Sequence, residues 1–512
     1  MLPDWVDPLQ GAEQMGAIDR WAIDEREIPS LTLMERAGSG LALVVDRFVP
    51  RGAIAVVCGK GNNGGDGLVA GRLLSQLGRR VRVLTLAGED EHRGDVAENL
   101  GRLDGTHEPF TAAGLDDTAV IIDAILGTGF DGEPRGLAKE AIEAIAAHSA
   151  VVVSADIASG VDASTGATAG VCVTATMTAT FAAAKPAHWI APGKQLRGEL
   201  EIIDIGIPAG APERADVGLL TGRVHRLVPG RDAPSTKFSA GHVVVAGGSR
   251  GLTGAPCLAC EAAMRAGAGY VSALVPSSLQ MIFELRLLEV MTRGLDDDDG
   301  ALTFAAATAA LEACERAGAL VLGPGLGRSD GAFAFACEVA ARAPTPLVLD
   351  ADGLNAHADR LDALARRTAP TVLTPHAGEL GRLLGVSSAE IGARRLHSAR
   401  EAARRARAVV VLKGDDTIVA APDGMAAVNG LSAPALATAG TGDVLGGVIA
   451  AFLAKGLDPF AAACAAVRRH AAAGRVAANA HGSSGVIARD VVAALPRALD
   501  GEPAADDEPE TP

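Results

Sequence analysis

Segment 59–67, GKGNNGGDG, follows an apolar run and has the residue types to seat a phosphate or an ion. Its glycines let the backbone come close to an anion, and a following helix would offer N–H groups. Asn62, Asn63 and Asp66 add oxygen atoms. No Lys-Ser or Lys-Thr follows, so it is not a P-loop, nor does it hold G-x-G-x-x-G in the usual frame. Asp123 and Asp156 close two other apolar runs, and each precedes a loop of small residues, AILGTGFDGE and IASGVD. Strand-end carboxylates followed by glycine loops converge on the crevice of a parallel sheet. With Asn63 and Ser159, Asp123 could give hard oxygen ligands to a cation.

In the second half the strongest chemistry lies in TAGTGDVLGG, 438–447. A Gly440-Thr441-Gly442 turn opening a helix makes an anion hole of N–H groups, and Asp443 sets a carboxylate beside it. That pairing suits phosphoryl transfer, with N–H groups on the phosphate and the carboxylate taking a hydroxyl proton. GPGLG (323–327), LDADGLN (349–355), TPHAGEL (374–380) and KGDDT (413–417) also adjoin apolar runs. His376 sits in one of them, at the carboxyl end of a predicted strand.

The elements that must position these residues alternate in type. Strands are predicted over 53–58, 81–86, 120–124, 151–156 and 199–205, with helices over 67–77 and 137–147 and a helical stretch over 15–49. The uncharged stretch 163–184 alternates as VCVTATMTATF and reads as a strand rather than a membrane span. In the second half strands are predicted over 242–246, 271–275, 319–322, 347–350, 371–373 and 409–413, with helices over 255–266 and 442–455. Short strands spaced by helices mean crossover units and parallel sheets covered on both faces. Pro, Gly and charges cluster without period over 222–234, which sets a boundary there. Domains 1–222 and 223–498 follow, and 499–512, with six acids and no base, is a disordered tail.

Composition narrows the partners. A net charge of −16 argues against a grip on nucleic-acid phosphates, and 3% aromatics leaves few base-stacking platforms. Seven cysteines do not make a disulfide framework, and Cys257 and Cys260 form a C-x-x-C without a second pair. No charged leader followed by an apolar run opens the chain, so the expected place is the cytoplasm, with no membrane partner.

GNNGGDG, DAILGTGF, SADIASGVD and TFAAAKPAH together closely resemble the NAD(P)H-hydrate epimerases, over about 15–207. That resemblance implies a Rossmann-like fold and interconversion of R and S hydrates at nicotinamide C6. It places substrate on Asn62, Asn63, Gly64, Gly65, Asp66, Gly127, Thr128, Gly129, Phe130, Asp131, Gly132, Glu133 and Asp156, and K+ on Asn63, Asp123 and Ser159. Asp156 is the candidate to protonate the ring hydroxyl and to stabilise a positive ring. Lys185 acts as an acid or, the favoured role, binds a phosphate. GAPCLACEAAMRAGAGYV, GPGLG, DADGLN, TPHAGEL, KGDDT and AGTGD resemble the ADP-dependent NAD(P)H-hydrate dehydratases of the ribokinase-like superfamily, over about 237–495. This implies nucleotide contacts at Lys413, Gly414, Asp415, Asp416, Thr417 and Gly442, and Mg2+ with the ADP. Hydrate contacts fall at Ala255, Gly325, His376 and Asp443, with Asp443 catalytic. A homo-oligomer, a tetramer by the family's habit, is expected.

On these resemblances the fusion makes chemical sense, since they imply a dehydratase that accepts only S and an epimerase that lets both forms of hydrated NAD(P)H drain through it. A second reading stays open beside it. The second half could be a ribokinase-like kinase of a thiazole or pyrimidine alcohol, and the first half a non-catalytic nucleotide-binding module.

Overall fold

The computed structural model describes residues 2–103, 107–212 and 214–499, so the acidic segment 500–512 lies outside the described residues. The chain divides into two units. One is built chiefly from Pro8–Val217, the other from Gly218 onward together with Pro3–Asp7.

In the first unit seven strands form one sheet in the order His107–Pro109, Val81–Thr85, Ile54–Cys58, Val120–Ala124, Val151–Ala155, Met177–Phe181, Glu199–Ile203. Every neighbouring pair is parallel. Chain order runs outward in both directions from Ile54–Cys58 and Val120–Ala124, so the switch-point crevice opens between them. Alternation decides the layers. Ile54, Val56 and Cys58 pack with Leu41 and Leu68, on helices Ser30–Phe48 and Asn62–Gln76. Ala55 and Val57 face Ile142 and Ile145 of helix Gly136–Ala147.

Three expectations need correction here. The stretch 15–49 is two helices, Ala12–Asp24 and Ser30–Phe48, because Pro29 has no N–H to extend the first and caps the second. The glycine segment is the opening of helix Asn62–Gln76 rather than a loop before it. A Cβ at Gly64 would lie 1.8 Å from the Gly59 carbonyl oxygen, so glycine permits a close backbone approach that propensity alone would not favour. Of 163–184, only Met177–Phe181 is a strand. The Asp162 carboxylate accepts from Ser164 N and Thr165 N, both at 2.9 Å, and this Asx turn bends the chain despite its alternating pattern.

The second unit holds an eleven-stranded sheet. Its order is Val6–Leu9, Val217–Leu220, Ala426–Asn429, Ile418–Ala420, Val409–Leu412, Thr371–Leu373, Leu347–Leu349, Ala319–Leu322, His242–Ala246, Tyr270–Pro276, Met291–Leu295. From Val409–Leu412 to Met291–Leu295 neighbours run parallel, and Ile418–Ala420 pairs antiparallel with both of its neighbours. The α/β class expected of each half is therefore what the two sheets display. Sequence patterns missed the edge strands, including Val6–Leu9. Trp5 is buried, its ring 5.9 Å from that of Phe460, and its carbonyl accepts from the Thr221 hydroxyl at 2.9 Å.

Because Trp5 packs in the second unit, Trp5→Ala should destabilise that unit by about 3 kcal/mol. Hydrogen exchange should show faster opening of Ala426–Asn429 and unchanged protection of Ile54–Cys58. Unchanged protection of both would contradict this packing.

Candidate active sites

In the first unit the expected residues gather at the carboxyl ends of the central strands. Asp123 is fully buried. One of its oxygens accepts from Ser154 Oγ at 2.8 Å and Ser159 N at 2.9 Å, the other from Ser159 Oγ at 2.5 Å. Burial raises its pKa, and these serine hydrogen bonds only partly pull it back. Asn63 is also buried, and among the described residues neither atom of its amide has a hydrogen-bond partner. A Cβ on Gly127 would sit 3.2 Å from Asn63 Oδ1, so the loop after Asp123 lies against this amide. A buried amide oxygen without a donor is costly, and it is a group a hard cation takes as ligand. Asn63 thus fits a cation site, while Asp123 and Ser159 have oxygens already engaged with one another.

Asp156 follows strand Val151–Ala155 with φ +65°, a left-handed conformation uncommon outside glycine. Its Oδ1 accepts from Lys185 Nζ at 2.6 Å and Thr180 Oγ1 at 3.0 Å, and its Oδ2 from Thr128 N at 3.1 Å and from the Thr128 hydroxyl. Burial works to raise its pKa, but the charge and hydrogen bond of Lys185, with that of Thr128, outweigh it and hold the carboxyl at about 2. Asp156 is therefore an anion at any working pH and has no proton for a leaving hydroxyl, which removes half of its expected role. Lys185 is 1% exposed. Its three hydrogens meet Asp156, Thr180 Oγ1 at 2.7 Å and the Phe181 carbonyl at 2.9 Å, so none is turned outward to a phosphate.

Two members of this cluster escaped sequence reasoning. His188 accepts from Lys185 N through Nδ1 at 3.1 Å, and its Nε2 lies 3.0 Å from the Asp156 carbonyl. The tautomer with its proton on Nε2 satisfies both contacts. Burial, then the Lys185 charge, hold its pKa at about 3, so the ring is neutral. The signal was present in TFAAAKPAH. Asp19, on helix Ala12–Asp24, is electrostatically coupled to Lys185 and Asp156, and no spacing could have revealed it. Asp66 lies buried beside the same charges, and Gly64 and Gly65 are buried in the helix opening. Gly127 and Phe130 are half-buried, while Asn62, Gly129, Asp131, Gly132 and Glu133 are exposed.

The second unit builds a parallel cluster around Lys413. Its Nζ donates to Asp350 Oδ1 at 3.0 Å and lies 3.7 Å from Glu379 Oε2. Asp350 and Glu379 sat unremarked within LDADGLN and TPHAGEL. Ala351, just after Asp350, has φ +50°, a second strained strand end. His376 caps helix Ala377–Leu384, its Nδ1 accepting from Gly378 N at 2.9 Å, while Glu379 Oε2 accepts from His376 N at 2.9 Å. Gly440, at φ +89°, starts helix Thr441–Ala454. A Cβ on Gly442 would lie 3.3 Å from Lys413 Nζ, which sets the anion turn beside that ammonium. Burial first, then the Asp350 charge, push Asp443 up to about 7 against the pull of Lys413.

Gly325 is buried and its carbonyl accepts from Ser249 Oγ at 2.9 Å. Ala255 is half-buried at the start of helix Gly254–Arg265, whose Gly254 and Leu258 line a cavity of about 520 Å³ with Ala439. In KGDDT, Gly414 and Asp415 are exposed and the Thr417 hydroxyl donates to the Gly414 carbonyl at 2.7 Å. Asp416 corrects the expectation. It is buried and its carboxylate accepts from Arg395 Nε at 2.9 Å, which makes it a structural partner rather than an open nucleotide ligand.

Comparison with known proteins gives the following. Residues 30–187 match the family described as YjeF-related protein N-terminus, and residues 243–497 match NAD(P)H-hydrate dehydratase. The chain is 40% identical over 510 residues to the bifunctional NAD(P)H-hydrate repair enzyme of Moorella thermoacetica, with 96% of each chain covered. It is 39% identical over 520 residues to that of Salinibacter ruber, again with 96% of each covered. Among solved structures, the ADP/ATP-dependent NAD(P)H-hydrate dehydratase from Bacillus subtilis co-crystallised with ATP/Mg2+ is 31% identical, covering 54% of this chain and 95% of that one, with a TM-score of 0.46.

Lys185→Met tests the buried pair. Removing one partner of such a pair costs about 3–5 kcal/mol. Asp156 is more acidic folded than unfolded, so its pairing stabilises the unit above its ordinary value of 3.8, and this is lost as pH falls toward about 2. Denaturant unfolding should show that acid-side loss in the wild type and not in the variant; identical pH profiles would contradict the pairing.

Proposed function

The chain belongs to the family of bifunctional NAD(P)H-hydrate repair enzymes, and from that premise we propose how its parts divide the work. Residues 1–222 epimerise R and S hydrates at nicotinamide C6. Residues 223–498 convert the S hydrate and ADP to NAD(P)H, AMP and phosphate. Family membership sets aside the kinase reading of the second half and the non-catalytic reading of the first.

The observation that carries the dehydratase assignment is Asp443, with its pKa raised to about 7, at the start of the helix whose Gly442 adjoins Lys413. A base of that strength is half-ionised near neutrality, where proton transfer is most effective. The ring hydroxyl gives its proton to Asp443 as its oxygen takes the terminal phosphoryl group of ADP, and AMP leaves. The C6–O bond then breaks with its electrons on phosphate, the departing phosphate takes the proton from C5, and the ring double bond returns. N–H groups of the Thr441–Ala454 helix start hold the phosphate, with Lys413 as counter-charge. Lys413, Gly414, Asp415, Thr417 and Gly442 face the nucleotide; Ala255, Gly325 and His376 face the hydrate. Mg2+ would enter with the ADP phosphates, and Asp350 and Glu379 are hard oxygen donors beside that turn.

In the first unit Asp156 supplies the negative charge against which a positive ring forms, and Lys185 and His188 hold it in place. K+ would be held by Asn63, Asp123 and Ser159, where it adds a fixed positive charge for an anionic substrate. The unpartnered Asn63 amide supports this. We place the protein in the cytoplasm as a homo-tetramer. Seven free cysteines suit a reducing compartment. Among the described residues no helix is long and apolar enough to cross a membrane.

Asp443→Asn should lower ADP-dependent dehydration by about 10²–10⁴ with ADP still bound. The ionised form is the active one, so wild-type turnover should rise with pH through about 7 and the variant should lack that limb. Near-normal turnover in the variant would refute the assignment. Replacing K+ by a bulky organic cation should slow epimerisation and spare dehydration of the S hydrate; equal loss in both assays would argue against the site.

A further inference from the structure

Inverting C6 requires the hydroxyl to leave, and an alcohol oxygen leaves as water only if something protonates it. Asp156 has no proton to give, and the Lys185 hydrogens are committed to Asp156, Thr180 and Phe181. We propose that Asp66 is the general acid and base of the epimerase, an inference that rests on the epimerase reading of the first unit.

The geometry sets Asp66 apart from its neighbour. It lies on helix Asn62–Gln76 at the switch-point crevice, one turn beyond Asn63, and it is 9% exposed. Asp156, just as buried, is gripped by five donors: Lys185, Thr180, the Phe181 amide, and the amide and hydroxyl of Thr128. Among the described residues none donates a hydrogen bond to the Asp66 carboxylate. The charged and titratable groups facing it are Asp156, Asp19 and Lys185, with the buried thiol of Cys58 at the strand end beneath. Three carboxylates thus share one ammonium. The ammonium is spent on Asp156, so the neighbouring carboxyls meet burial and like charge and favour their neutral forms. Burial first, then the Asp156 and Asp19 charges, raise Asp66 well above its ordinary value. Two carboxyl groups in one crevice, driven apart by their surroundings, mark an acid and its ionised counterpart.

The step balances as follows. The C6–O bond breaks with its electron pair on oxygen, the Asp66 proton joins that oxygen, and water departs. N1 and C6 share the positive charge, opposite the Asp156 carboxylate. Water adds to the other face and sheds its extra proton to solvent, and solvent reprotonates Asp66. In the reverse direction the Asp66 carboxylate takes the proton of water adding to its own face.

The test uses the full chain without ADP, so that the dehydratase is idle, and follows R hydrate becoming S by chromatography across pH. The wild-type rate should fall as pH rises and Asp66 ionises. Asp66→Asn should be slower by about 10²–10⁴ and lack that limb, yet dehydrate S hydrate at the wild-type rate when ADP is supplied. Asp66→Glu should recover part of the rate and restore the limb. An Asp66→Asn rate within about twofold of wild type, or a slowed variant that keeps the limb, would overturn the proposal. If Asp66→Asn loses exchange protection in Ile54–Cys58, Asp66→Glu decides, and a Glu variant without the limb overturns it. A wild type that does not epimerise would refute the epimerase reading instead.

Discussion

Each unit of this protein gathers three buried or half-buried carboxylates around one lysine. In the first, Asp156, Asp66 and Asp19 surround Lys185; in the second, Asp350, Glu379 and Asp443 surround Lys413. One ammonium cannot neutralise three crowded carboxylates, so the carboxyls in a cluster do not all share one environment. In the first unit Asp156, in direct contact with the lysine, keeps its charge while Asp66 is pushed toward neutrality; in the second Asp443 is pushed up to about 7. Much else in the sites follows from this shortage of positive charge. It gives the first unit a permanent anion beside a carboxyl with a proton to spare, and it gives the second a base poised near neutral pH.

The fold creates the shortage by bringing strand ends together. Asp123, Asp156 and Asp350 each sit at or next to the carboxyl end of a parallel strand, where backbone amides and glycine turns leave room for side chains to converge. The strand ends at Asp156 and Ala351 carry positive φ angles. Such backbone persists where surrounding structure over-determines it, and here Lys185, Thr128 and Thr180 hold Asp156 while Lys413 holds Asp350.

Much of this was legible in the sequence, for identifiable reasons. AIAVVC and VIIDA are continuous apolar runs, as strands buried on both faces must be, and the Asp that closes one of them stood out. NNGGDG read as a loop because glycine disfavours helix, whereas close packing at Gly64 makes a helix of it. The pattern VCVTATMTATF imitates a strand through β-branched residues on alternate positions, and the Asx turn at Asp162 breaks it. VDPL carries too little pattern to announce a strand. In the sites, residues inside glycine motifs were found, while Asp19 on a distant helix was not. The burial of Asp416 against Arg395 was likewise invisible, because only the fold brings that guanidinium to it.

The central claim is that carboxyl groups sharing one lysine differ in charge state, and carboxyl-carbon NMR titration of the full chain tests it most directly. Aspartates would be labelled with carbon-13 and assigned by Asp66→Asn, Asp156→Asn and Asp443→Asn replacements. The account predicts that Asp156 stays ionised down to about pH 2, that Asp443 titrates near 7, and that Asp66 remains protonated well above the ordinary carboxyl range. All three carbons titrating together near 4, the value of a free aspartate, would contradict it.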